Sequence, residues 1–456
     1  MRQPYPDGLA TPQRYGAIVA IGLGIMLSVL DGTIVNVALP TVTRELQTTE
    51  AHSIWAVNAF QLAVLISLLP LSSLGDRLGY HRIYLTGIVS FIFTSLLCGF
   101  APSLGSLVAA RTLQGVSAAA VMSVNTALVR QIYPKAKLGR GMAINSLVVA
   151  LSAAAGPSIA AAVLSVASWH WLFWINVPVG LAAAILSFKF LPRRTPQKPE
   201  HAYDYLGAVF NALTFGLFFL AVSGLAHQLS SGLIVGAVVG CGLIGTLFVR
   251  QQQGSSVPLL PLDLLRIPIF RLSIITSMSS FTAQMLVMIS LPFYLQGVLQ
   301  RGVVETGLLL TPWPIAVMIV APIAGRLVGK VHAGILGALG LALFALGLGL
   351  LAVLGEQVSN ADFAWRVALC GAGFALFQSP NNYTLISSAP ANRSGGASGM
   401  LGTARLTGQT LGASLVALLF TWYPANAGQL AISVACGLAV LGAVLSALRI
   451  RQRIPS

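Results

Sequence analysis

A chain of 456 residues that is 56% hydrophobic and only 8% charged, with a mean hydropathy of +0.83, cannot cover an ordinary water-facing surface, since soluble domains carry about a quarter charged residues. The formal net charge of +15 does not indicate a nucleic-acid partner, because the basic residues form no aromatic-interleaved patch and sit in short clusters between apolar runs. Cys98, Cys241, Cys370 and Cys436 stand singly, with no CxxC pair, and read as small apolar residues rather than disulfides or metal ligands.

The N-terminal stretch MRQPYPDGLATPQRYG is polar, and no small-residue cleavage site follows the first apolar run, so no removed signal peptide is expected. Apolar runs then recur, each approaching the ~20 residues that cross a ~30 Å hydrocarbon core. Fourteen spans are expected, near 16–39, 52–74, 82–101, 105–129, 141–164, 171–191, 204–226, 231–249, 272–298, 304–327, 333–354, 363–387, 397–421 and 427–448. The seventh and eighth are Gly-rich and are separated only by AHQLSS.

Charge asymmetry supports that count. With the N-terminus inside, most of the 26 Lys and Arg residues fall on inner segments, including Arg2, Arg77, Arg82, Lys135, Arg194, Lys198, Arg393, Arg449 and Arg453. Only Arg44, Arg301 and Arg366 fall on outer ones, while Arg111 and Arg405 lie within spans. Both termini are therefore expected in the cytoplasm. The polar linker LPRRTPQKPEHAYD (191–204) closes a first block of six spans, and RQQQGSSVPLLPLDLLRIPIFR (250–271) closes the next two. The expected division is a tail over 1–15, a six-helix half over 16–191, and a linker with two extra helices and an interfacial segment over 192–271. A second six-helix half over 272–448 and a tail over 449–456 complete it. The fold class is an all-α integral membrane protein.

The two halves echo each other. Ser72-x-Leu74-x-Asp76-Arg77 follows the second span, and Gly325-x-Leu327-x-Gly329-Lys330 follows the tenth. Pro40 and Pro292 precede them at nearly the same distance. This points to a duplicated architecture with parallel repeats, in which only the first copy keeps its acid.

Local motifs agree with that plan. SSLGDRLGYHR (72–82), RTLQGVSAAAV (111–121) and GPSIAAA (156–162) resemble the inter-helix loop, the fourth-helix Arg motif and the fifth-helix antiporter motif of the major facilitator superfamily. LDGTIVNVALP (30–40), WHWLFWINVPVG (169–180), GLLLTPWP (307–314) and SGGASGMLGTARLTGQTLGAS (394–414) resemble motifs of its 14-helix drug:proton antiporter branch. Together they cover about residues 16–448. The resemblance implies two six-helix halves plus two central helices, in a bacterial cytoplasmic membrane. Ser72 replaces a Gly of the family pattern, Ala160 and Ala161 replace a Gly pair, and His170 replaces an Arg, so a positive charge at His170 depends on pH.

Asp31 is the only acid deep in any span. An ionised carboxylate there costs ~2.5–3.5 kcal/mol or more, and burial favours its protonated form. It reads either as a proton-carrying coupling residue or as a structural acid that holds the first helix in register. Arg111 lies in the fourth span with Gln114 and Gly115 one turn on. The resemblance implies a role in proton transfer, and the plainer reading is an Arg snorkelling to the outer interface. A contact between Arg111 and Asp31 is conjectured without a sequence feature to carry it.

Asp76, Arg77, Gly79 and Arg82 form a short cytoplasmic connection. The resemblance implies a lock that shuts the cytoplasmic side, and ordinary positive-inside topology accounts for the arginines but not for Asp76. Gly156 and Pro157 are expected to bend a helix and bring it close to a neighbour. Gln114 is expected to line a cavity, and Gln378, Asn381, Asn382 and Arg405 either line a cavity or join helices.

The function expected is export of hydrophobic, cationic compounds such as quaternary ammoniums and dyes, by alternating access and in exchange for protons. A monomer with no cofactor is expected, acting on a small molecule and protons within the lipid bilayer. Export of an endogenous, anionic metabolite is the alternative within transport, and a non-transporting sensor or scaffold is the alternative outside it. No HExxH, GxSxG, P-loop or His/Cys cluster supports an enzyme or an ATP-driven pump.

Overall fold

In the computed structural model, residues 8–134, 137–193, 203–226, 229–254, 258–328, 330–355, 358–389 and 394–452 are described. Arg2, Lys135, Gly329, Arg393, Arg453 and most of the 191–204 linker, with Arg194 and Lys198, lie outside them.

The helices of the first half are α1 Thr11–Glu45, α2 Glu50–Leu78, α3 Tyr80–Gly99, α4 Leu104–Ile132, α5 Leu138–Leu164 and α6 Trp171–Phe190. A hairpin follows, α7 Tyr205–Ala226 and α8 Ser231–Gln253. The second half contains α9 Pro268–Val298, α10 Val303–Leu327, α11 Ala333–Ala352, α12 Asn360–Ser387, α13 Ser394–Trp422 and α14 Ala427–Arg451. Helices are the only open-ended structure that satisfies every backbone group in hydrocarbon. Local chemistry sets their ends: Ser103 and Ser106 form a reciprocal cap on α4. Gly79 turns α2 into α3 at φ +94°, a conformation that disfavours side chains.

Eleven helices among the described residues are long and apolar enough to span a membrane, or up to twelve if the bent α5 counts as one span. α5 turns by 41° between Leu147–Ala153 and Ala155–Leu164, near Pro157, which lacks a donor for the preceding turn. α12 and α13 are as long, at 28 and 29 residues. Gln378, Asn381 and Asn382 on one, and Arg405, Thr407 and Gln409 on the other, dilute their apolarity.

The packing of the first half recurs in the second with each helix number raised by eight. α1 lies against α5 and α6, α2 against α4, and α3 against α4 and α6; α9 lies against α13 and α14, α10 against α12, and α11 against α12 and α14. The halves meet through α1 with α9, α2 with α13, and α5 with α10, all pairs that a two-fold exchange of halves preserves. α7 bridges the seam by packing on both α2 and α13. Asn211 Nδ2 donates to the Ile66 carbonyl at 3.0 Å, and the Ser223 and Ser414 hydroxyls lie 3.4 Å apart. Only 11% of the apolar window of α8 is buried in protein, so its remaining surface is left for lipid.

Three sequence expectations change. α1 starts at Thr11, inside the expected tail, and Leu9 is already tied down, its N–H donating to the Ile132 carbonyl at 3.0 Å. The segment expected at the interface forms a short turn over Leu262–Arg266 whose Leu264 is buried against Phe270, Leu385 and Met400, so apolar packing anchors it. Arg449 is not in a cytoplasmic tail but fully buried at the end of α14.

A candidate proton-coupling site in the first half

Asp31 and Arg111 form an ion pair, both side chains 0% exposed. α1 brings the carboxylate and α4 the guanidinium, and three further helices complete the shell. Gln114 Nε2, one turn along α4, donates to Asp31 Oδ1 at 3.2 Å and to the Ser95 hydroxyl of α3 at 2.8 Å. Asn176 Nδ2 of α6 donates to the same Oδ1 at 2.8 Å. Arg111 Nε donates to the Ala56 carbonyl of α2 at 2.9 Å, and Nη1 also donates to Gln114 Oε1 at 2.7 Å. The Phe60 and Phe173 rings lie 4.1 and 5.6 Å from the guanidinium carbon. Cys98 closes the shell with its thiol 3.3 Å from Gln114 Oε1.

The conjectured Asp31–Arg111 contact is thus formed, and Arg111 points inward, which removes the snorkelling reading. Arg111 Nη2 is buried without a hydrogen-bond partner among the described residues. Gln114, expected to line a cavity, instead positions the carboxylate. Sequence reasoning passed over Asn176, Ser95, Phe60 and Phe173. Asn176 and Phe173 lay within the quoted WHWLFWINVPVG, and a polar amide inside that apolar run was the signal available.

The other sequence candidates sit elsewhere. Asp76 is exposed and accepts a hydrogen bond from the hydroxyl of Tyr80, the first residue of α3. Arg77 lies over the Tyr203 ring at 5.7 Å, and Arg82 is exposed. Gly156 faces α1 so closely that an added Cβ would collide with Thr33 Oγ1. Beside it, α5 seals against α10: a Cβ on Gly307 would collide with Ala161 and lie 3.0 Å from the Pro157 carbonyl, and the Ser158 and Thr311 hydroxyls are 2.8 Å apart. Two motifs read separately in the sequence therefore meet at the seam.

Asn381 is a helix-joining residue and not a cavity one. Its Nδ2 donates to the Ser277 hydroxyl at 2.7 Å, and its Oδ1 accepts from Arg449 Nη1 at 2.6 Å. Gln378 and Asn382 are partly buried on the same helix. Arg405 is partly buried on α13, its Nε without a hydrogen-bond partner among the described residues. In the loop before α6, Trp169 Nε1 donates to Glu45 Oε2 at 2.8 Å and the His170 ring stacks on Trp169 at 3.8 Å. Burial lowers the His170 pKa from its ordinary value, with Glu45 opposing that shift.

Paired helical repeats around a seam, with a buried carboxylate and no soluble output domain among the described residues, define a polytopic transport protein of the facilitator type. The chain belongs to the Major Facilitator Superfamily, whose pattern matches residues 21–413, and it is a transporter rather than an enzyme. It is 56% identical over 446 residues to the "Uncharacterized transporter YebQ" of Escherichia coli (strain K12), covering 98% of both chains. It is 32% identical over 423 residues to the "Multidrug resistance protein Stp" of Mycobacterium tuberculosis (strain CDC 1551 / Oshkosh), covering 90% of this chain and 76% of that one. Among solved structures, a POT family transporter in complex with 5-aminolevulinic acid shares the fold, with TM-score 0.74, 15% identity and 95% of each chain covered.

Proposed function

We propose that this protein exports hydrophobic organic compounds across a bacterial cytoplasmic membrane in exchange for protons, by alternating access. In this reading the chain crosses the bilayer fourteen times, with both termini cytoplasmic, and works as a monomer driven by the proton gradient. The observation that carries it is the enclosed Asp31–Arg111 pair, placed on the helix that also reaches the other half. Six residues beyond Asp31, the Val37 carbonyl accepts a hydrogen bond from Gln296 Nε2 of α9 at 3.4 Å. Thr33, between them, contacts Gly156 on α5.

A proton arriving at Asp31 neutralises the carboxylate and removes its attraction for Arg111. The guanidinium remains held by the Ala56 carbonyl, Gln114 and the Phe60 face, so α1 is the element released. Releasing α1 loosens its contact with α9, where one half bears on the other, and its contact with α5, which itself packs against α10 of the second half. With the N-terminus inside, those contacts lie on the outer side, and the fold corresponds to an inward-facing state. The exposed Asp76, hydrogen-bonded within its own half, fits a cytoplasmic lock in its open position.

Asp31 has no exposed surface, and Arg111, Gln114 and Asn176 occupy its oxygens. We therefore assign it to the proton rather than to a cationic substrate. Sequence relatives named for multidrug resistance support export of xenobiotics. An anionic metabolite is a second reading, favoured by Arg405, which has no ion-pair partner among the described residues.

The test is compound-induced proton release in energised inverted vesicles, using cationic, neutral and anionic compounds. Wild type should release protons and Asp31→Asn should lose at least 90% of the response, a margin on the order of a tenfold rate effect. Release that survives the substitution returns Asp31 to a structural role, and an absence of release with every compound overturns proton exchange.

A further inference from the structure

We infer that Arg405 holds an acidic group of the exported compound, a carboxylate or an ionised phenol, between the two halves. This rests on the export reading above and adds to it the charge of the substrate.

The placement follows from the faces of α13. Gly402 lies against Leu68 of α2, where an added Cβ would stand 3.3 Å away, and Leu406 joins the cluster containing Phe60, Val64 and Leu65. Gly408 and Gly412 lie against the Met278 and Thr282 carbonyls of α9, at 2.7 and 2.6 Å from an added Cβ. Ser414 faces Ser223 of the extra hairpin. At 100° per residue, a consequence of 3.6 residues per turn, Arg405 falls between the α2 face and the α9 face and opposite the hairpin. Its side chain thus projects into the seam, where it keeps partial exposure.

Its depth excludes an interfacial role. Arg405 stands eleven residues after Ser394, the first residue of α13, or about 16 Å along the axis at 1.5 Å per residue. A side chain there cannot snorkel to the cytoplasmic surface.

Among the described residues, no acid is left for it. Asp31 is the one acid deep in a helix, and Arg111 takes it. Glu45, Glu50, Asp76, Asp204, Asp263, Glu305 and Asp362 lie at helix ends or in connections, and Asp7, Glu200 and Glu356 lie outside the described residues. None of the described ion pairs includes Arg405. Arg449, the other deep cation of the second half, differs because neutral side chains wrap it. A cation in a low-dielectric seam without a counter-ion is costly unless a ligand supplies one. A guanidinium binds planar carboxylates through two donors at once.

The test compares two dyes that share a xanthene ring system: fluorescein, an anion at neutral pH, and rhodamine 6G, a cation. Binding to the purified full-length protein in nanodiscs is read by fluorescence anisotropy, with empty nanodiscs subtracted. Wild type should bind fluorescein, and Arg405→Gln should weaken it by about tenfold or more without weakening rhodamine 6G. Arg405→Lys, which keeps the charge but loses the paired donors, should weaken fluorescein severalfold and keep the preference for the anion. If the Gln variant does not fold, the Lys variant decides. Failure of wild type to bind fluorescein, or unchanged fluorescein affinity in the variants, overturns the inference. Arg405-dependent binding without transport of any compound would overturn the export reading and leave this site standing. Transport that is blind to Arg405 would do the reverse.

Discussion

Arg111 and Arg449 are both fully buried, one in each half, yet they are neutralised in opposite ways. Arg111 faces a carboxylate, whereas among the described residues Arg449 bonds only neutral oxygens: Ser273 Oγ at 3.0 Å, Asn381 Oδ1 at 2.6 Å and Ser446 Oγ at 2.5 Å. A carboxylate partner can be switched by a proton, whereas hydroxyls and an amide cannot. In the proposed reading, the duplicated architecture puts its proton-responsive element in the first half and a proton-blind clamp in the second.

The strongest way to break this comparison is to remove one partner. Arg111→Gln leaves a buried, unpaired carboxylate and should destabilise the protein by about 3–5 kcal/mol, read from thermal unfolding in detergent. Adding Asp31→Asn to that variant should recover most of the loss, because no charge then remains to be desolvated. Equal losses in the single and double variants would mean that the two side chains act independently. Next in size is Arg449→Met, which strands Asn381 and two serines and should cost about 1–3 kcal/mol. Its transport should keep the wild-type dependence on pH, whereas any shift would end its status as a proton-blind clamp.

The sequence carried much of this contrast through its residue types. An acid or an Arg inside an apolar run has few physical outcomes, so Asp31 and Arg111 could be singled out without a structure. Their partners could not, because Ser95, Phe60 and Asn176 arrive from three other helices and their relation depends on packing that no local periodicity records. Arg449 was misassigned for the same reason: next to Arg451 it reads as a topology signal, and only the polar pocket of α9 and α12 draws it inward. The spans themselves were legible because hydrocarbon thickness fixes their length. Helix ends were less so, since Leu9 and Leu264 are held by tertiary packing beyond the apolar runs.

The seam tests whether the responsive half is mechanically joined to the other. Gly307→Val drives side-chain atoms into Ala161 and toward the Pro157 carbonyl, and overpacking of this kind costs about 1–3 kcal/mol. In the alternating-access reading only one state has this contact, so the substitution should shift the protein toward the other state more than it unfolds it. Cysteine labelling at positions exposed on one side would report the shift. A smaller effect is expected from Ser158→Ala, which removes one hydroxyl contact with Thr311 worth about 0.5–1.5 kcal/mol.

The mildest prediction extends the contrast to the loops. Before α6, His170 stacks on Trp169, which is itself bonded to Glu45, whereas in the second half the starts of α10 and α12 carry the Arg301–Glu305 and Arg366–Asp362 pairs. Burial holds the folded-state pKa of His170 below its ordinary value, and the Glu45 charge only partly offsets this. The unfolded chain therefore takes up the proton first as pH falls through the ordinary histidine range. Stability is unaffected above that range and declines below it, until the folded state is protonated too. His170→Gln should flatten the part of the acid-side decline that this residue causes, measured as melting temperature between about pH 7 and pH 5. A variant that melts with the wild-type pH profile would show that the acid response of the first half resides elsewhere, with Asp31 the next group to test.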